Sequence, residues 1–117
     1  MRQKGSILQR RLAQNMLTKQ KVREDLKEIR YYYSKQKMFD DAGKTVVQSA
    51  VLEKVSKYNQ AVKDAPARLF DLYISLYVQN NSQAALAYDW DFSTDYIKQL
   101  NKQLCEFLLF VFSQEAN

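Results

Sequence analysis

The residue types that carry most enzyme chemistry are scarce in this chain. It has no histidine and one cysteine, Cys105. The usual zinc ligand sets, and the general-base and nucleophile pairs built on imidazole, therefore have no material to work with. Gly43-Lys44-Thr45 matches the end of a phosphate-binding loop but lacks the upstream glycine and preceding strand that such a loop requires. The carboxylate pairs Asp40-Asp41 and Asp89/Asp91 have no third ligand nearby, and their spacing is not that of a calcium loop. No enzymatic activity, cofactor or metal is expected. The chain is well supplied instead with hydroxyls, amides and cations. Their chemistry is recognition: hydrogen bonds to free amides, and ionic contact with a polyanion.

The cations are unevenly placed. Residues 1–37 hold eleven Lys and Arg against three Asp and Glu, whereas residues 38–117 hold seven against ten, within a net charge of +5. Such clustering suits nucleic acid, and less often an acidic protein surface or a membrane. Its plain alternative is a solvated helix face with no partner. The N-terminal MRQKGSILQRRLAQ has neither the continuous apolar core nor the small-residue cleavage site of a signal peptide. The apolar run 107–112 is far too short to cross a bilayer. A cytoplasmic protein without membrane contact is expected.

With 46% hydrophobic residues, two glycines and one proline, the chain can fill a core and build long helices. The expectation is an all-α fold. A basic helical segment spans 1–37, with the seam Val22, Leu26, Ile29, Tyr33 and a break near Thr18–Lys21 where polar residues interrupt it. Met38–Lys44 serves as linker. A helical domain follows over 45–117. Its first helix shows Val47, Val51, Val55, Tyr58 and Val62 on one stripe. Asp64 is a candidate cap and Pro66 a first-turn residue for the next helix, which presents Leu69, Leu72, Tyr73 and Leu76. Cys105 falls in an apolar period and reads as a small buried hydrophobe. The nearly all-apolar stretch from Phe107 through Phe110 to Phe112 is expected to be buried on several sides, in the core or at a subunit interface.

The segment 82–112 has the shape of a helix-turn-helix. Ser82 and Ser93 can each cap a helix. Asp89 to Phe92 leaves room for a turn with two apolar anchors. Ala84, Ala85 and Ala87 permit a close helix crossing, and Ile97, Leu100, Leu104 and Leu108 share one face. The positions Leu86, Ala87, Trp90, Phe92, Ser93 and Ile97 make it similar to the sigma-factor region that reads the −35 promoter element. Leu69–Leu108 resembles the C-terminal module of the phage late-transcription regulator family, the ArpU/RinA-like group that includes lactococcal-type late activators. That resemblance implies a sequence-specific DNA-binding regulator, an activator of phage late genes acting in the bacterial host cell. Double-stranded DNA is the implied partner, with host RNA polymerase as a further one, and a homo-dimer as the assembly.

By that resemblance the recognition helix begins at Ser93. Thr94, Lys98, Gln99 and Lys102 are then the implied base contacts. Asn101 also faces outward, and Gln99 and Asn101 each offer a donor–acceptor pair that matches adenine. Ser82 and Gln83 are placed to bond a backbone phosphate. Arg10, Arg11, Lys19, Lys21, Arg23, Lys27 and Arg30 would track the backbone. Asp89, Asp91 and Asp95 oppose this, since carboxylates near phosphates repel. Two alternatives stand beside it: a non-enzymatic helical interaction module, such as a phage inhibitor or adaptor, and a small terminase-like DNA-packaging subunit.

Overall fold

The computed structural model describes residues 18–36 and 49–115. Among these residues the regular structure is all helix: α1 Lys19–Ser34, α2 Ser49–Val62, α3 Ala67–Tyr73 running into a π-helical segment Ile74–Val78, α4 Gln83–Trp90 and α5 Thr94–Glu115. The linker residues, Thr45 and Val47 lie outside the described range, as do Arg10 and Arg11.

Each helix forms because its apolar side chains recur at helical spacing and its ends find partners. The Thr18 hydroxyl accepts the Lys21 amide and starts α1 where the break is expected. Val22, Leu26 and Ile29 are sealed in the core. The seam then departs from expectation. Tyr32 is the buried tyrosine, and Tyr33 is only half-buried. The Tyr33 hydroxyl accepts from Asn59, whose carbonyl in turn accepts from the Tyr73 hydroxyl, and this polar chain holds Tyr33 at the core edge. Tyr31 is exposed.

In α2, Val55, Tyr58 and Val62 face inward, with Val51 half-buried. Pro66, not Asp64, occupies the cap position of α3 and makes no side-chain bond. Asp64 sits in the preceding turn, its amide bonded to the Ala61 carbonyl. In the π segment the Gln79 amide reaches back five residues to the Ile74 carbonyl at 2.8 Å. The buried Ser75 hydroxyl accepts from the Asn81 side chain.

The long α5 lies against α1, α2, α3 and α4, and is the element around which the fold closes. Ile97, Leu100, Leu104 and Leu108 are its buried stripe, as the spacing requires, and Cys105 is buried beside them. Its apolar end is covered except at Phe110. Phe112 is buried edge-on against Tyr58, with ring centroids 4.8 Å apart, but Phe110 is 61% exposed. Burial on several sides, as expected, holds for the rest of the stretch, with Leu108 buried and Phe107, Leu109 and Val111 half-buried against the core; no described element covers Phe110. Ala87 is the alanine that packs into the core, while Ala84 and Ala85 are exposed.

One buried carboxylate ties α1 to α2. Asp25, 5% exposed, accepts from the Tyr58 hydroxyl at 2.7 Å. Its other oxygen contacts Lys54 at 3.0 Å and Lys21 at 3.3 Å as ion pairs, without an aligned hydrogen bond. Burial alone would raise the Asp25 carboxyl. The Tyr58 hydroxyl and the two ammonium groups outweigh it and hold the group below the usual carboxylate range.

Candidate nucleic-acid interface

The joint between α4 and α5 is made from local bonds. The Ser82 hydroxyl accepts the Ala85 amide at the start of α4. At its end Asp91 takes φ 61°, ψ 43°, the left-handed conformation that stops a helix. Short polar residues reach it at lower cost than bulky ones. The Phe92 amide then returns to the Ala87 carbonyl at 2.9 Å, and the Asp91 amide to that of Tyr88 at 3.2 Å. The Ser93 hydroxyl accepts the Tyr96 amide at 3.1 Å and launches α5. Both serine caps are therefore as expected. Trp90 is half-buried, and Phe92 packs edge-on to the exposed Tyr96 at 4.7 Å.

From that turn α5 presents a continuous polar face. Thr94, Lys98, Gln99 and Lys102 are all exposed, while Ile97 and Leu100 between them are buried. Asp95, Gln99, Lys102 and Glu106 run along the line opposite the buried stripe, following the 3.6-residue turn. Asn101 does not belong to this face. Its side-chain carbonyl accepts the Tyr77 hydroxyl across to the π segment, so it is held by the fold and cannot read a base.

The cations of α1 divide. Lys19 pairs with Glu106 at 3.2 Å and Lys21 with Asp25, so both charges are already engaged. Arg23 is exposed and stands beside the Cys105 thiol. Burial pushes that thiol up, against the opposing pull of Arg23 and Lys19. Arg30 is half-buried, and Arg23 and Arg30 together act on the Tyr77 hydroxyl, which burial nonetheless raises to about 12. Lys27 is exposed and lines a small apolar cleft with Tyr31, Tyr32 and Val51. Arg23 thus approaches the flank of α5 that carries Cys105, while Arg30 acts on Tyr77, the partner of Asn101. Ser82 is exposed at the start of α4 and Gln83 is half-buried.

Comparison with protein-family models, curated proteins and solved structures returns no match.

Among the described residues, no three Cys, Asp or Glu side chains converge as a metal site, and no helix is long and apolar enough to cross a membrane. One cation at the joint is missed by sequence reasoning. Arg68, at the start of α3, lies with its guanidinium 5.0 Å from the Trp90 ring centre and 5.1 Å from that of Phe92. It also lines an open cleft of about 570 Å³ shared with Asp71, Gln79, Asn81, Asp89 and Trp90. No local pattern around Ala67-Arg68-Leu69 points to the turn, which is more than twenty residues further on.

Proposed function

We propose that this protein is a sequence-specific DNA-binding regulator of transcription, with α4 and α5 as its helix-turn-helix and the opening turns of α5 in the major groove. The observation that carries the reading is the joint exposure of Thr94, Lys98, Gln99 and Lys102 directly after a capped turn, on a helix whose opposite flank is sealed in the core. A major groove admits one helix, and Gln, Lys and Thr side chains supply donors and acceptors for base edges. Arg23 approaches one flank of that helix, where a phosphate strand would run. Activation of phage late genes is the role that the resemblance of Leu86–Ile97 suggests. A dimer would supply the second half-site.

Selection from randomised duplexes, followed by fluorescence anisotropy on the enriched site, tests the reading. The expected result is one enriched motif, an affinity that falls steeply with salt, and loss of the motif preference in Lys98→Ala/Gln99→Ala. No enriched motif, or a preference unchanged in that double variant, would overturn it.

One feature favours a second reading. Asp89, Asp91 and Asp95 are exposed around the turn beside the exposed rings of Tyr88, Phe92 and Tyr96. An acidic, aromatic surface suits a basic protein partner better than a phosphate backbone. In that case the selection enriches nothing, and a protein is captured through this turn in a manner lost on Phe92→Ser.

A further inference from the structure

We infer that Arg68 is a backbone-phosphate contact, on the flank of α5 opposite α1. The inference rests on the DNA-binding reading above. A helix in the major groove has a sugar-phosphate strand on each side, and cations on one flank alone would leave the second strand without a partner. The α1 flank is marked by Arg23 beside Cys105. Tyr96 lies nine positions earlier on the same helix, about two and a half turns at 3.6 residues per turn, and so projects from the opposite flank. Tyr96 packs on Phe92, and the Arg68 guanidinium is in cation–π contact with Phe92 and Trp90. The fold therefore carries to the second flank a cation that the sequence places far from it.

The state of the guanidinium fits the role. Arg68 is exposed and has no ion pair with any described residue, although Asp71 and Asp89 line the same cleft. The rings hold the group by cation–π contact, and no described residue accepts a hydrogen bond from it, so its N–H donors stay free. A planar, pre-positioned fork of donors is the geometry that binds a phosphate through two parallel hydrogen bonds. The two ring contacts also fix a long side chain that would otherwise lose rotamer freedom on binding. The contact would bring positive charge to a turn whose own side chains are acidic.

The test uses the full chain and a mixed-sequence 24-base-pair duplex, with anisotropy followed as KCl is raised. Neutralising one phosphate contributes about 0.9 to the slope of log affinity against log salt. Arg68→Gln is expected to reduce the slope by about that amount while the enriched-site preference stays as in wild type. Arg68→Lys should restore the slope. In wild type, DNA should protect Arg68 from phenylglyoxal, read by peptide mass spectrometry, and this measurement decides the matter even where the glutamine variant fails to fold. Wild-type binding with an unchanged slope in Arg68→Gln, or with Arg68 modified equally with and without DNA, overturns this inference and leaves the DNA reading standing. A wild-type chain that binds no duplex overturns both.

Discussion

Gln99 and Asn101 are two residues apart and chemically alike, yet the fold gives them opposite tasks. Gln99 is exposed on the outer line of α5, whereas Asn101 is half-buried and accepts the Tyr77 hydroxyl. The two alanine variants should therefore fail differently. Asn101→Ala leaves the buried Tyr77 hydroxyl unpartnered and should cost about 1–2 kcal/mol of stability, with DNA sequence preference intact. Gln99→Ala should leave the denaturation midpoint alone and cost about 1–3 kcal/mol of discrimination at one base position. Urea melts followed by circular dichroism, run beside anisotropy on the enriched site, check both; a Gln99→Ala protein that keeps full discrimination would remove that residue from the reading surface. Periodicity alone could not separate this pair. Asn101 lies at the edge of the buried stripe, and only the arrival of Tyr77 from the π segment decides which way it is used. Tyr32 and Tyr33 follow the same logic, since adjacent positions compete for the core and the Asn59 hydrogen bond holds the second at its margin.

Among the elements, the α4–α5 joint was legible in detail because its determinants are local. Two serine caps, a residue able to turn left-handed and an apolar stripe at helical spacing lie within one short stretch of chain. The π segment was not legible. One extra residue per turn leaves composition and apolar spacing almost unchanged over Ile74–Val78, and the tie from Asn81 to Ser75 that accompanies it forms only after the chain has turned. Arg68 was missed for a related reason, since aromatic rings from another element give it its position. On the proposed DNA-binding reading, the same joint contains a conflict between stability and binding. Asp95 in the first turn of α5 favours the helix through its dipole, and Asp91 adopts the left-handed cap, yet both place negative charge where a phosphate strand would approach. Asp91→Asn separates the two effects, because asparagine also tolerates the left-handed conformation. The variant should melt within about 0.5 kcal/mol of wild type. It should bind duplex DNA more tightly at low salt, with the gain shrinking as salt rises. An affinity equal to or below that of wild type at every salt concentration would place Asp91 away from the bound DNA.

On the scale of the whole molecule, the core contains ionisable groups that set the pH range of the fold. Tyr58, Tyr73 and Tyr77 are buried, and burial raises all three hydroxyls above the ordinary value of 10.0; Asp25 adds to the effect on Tyr58. Asp25 is shifted the other way, below its ordinary 3.8. The signs follow from which state binds the proton more tightly. For a tyrosine raised in the folded state, stability is full below pH 10 and drains as pH climbs from there toward the folded value, because the unfolded chain loses its proton first. For Asp25, stability is full above pH 3.8 and drains as pH falls toward the lowered value, because the unfolded chain gains its proton first. The buried Cys105 thiol, also raised from an ordinary 9.0, starts the alkaline loss earlier than the tyrosines, so the urea midpoint should be flat between about pH 5 and 8 and fall on both sides. The two limbs meet in one hydrogen bond, since the Tyr58 hydroxyl donates to Asp25. Tyr58→Phe should accordingly lower the plateau by about 1–2 kcal/mol, through the lost bond to a charged acceptor, and also shorten both limbs. The alkaline limb loses its phenol, and the acid limb weakens because Asp25 keeps Lys54 and Lys21 but loses the donor that most offsets its burial. A Tyr58→Phe protein with a lowered plateau and unchanged limbs would show that the contact supplies packing alone and that the pH range is set elsewhere in the chain.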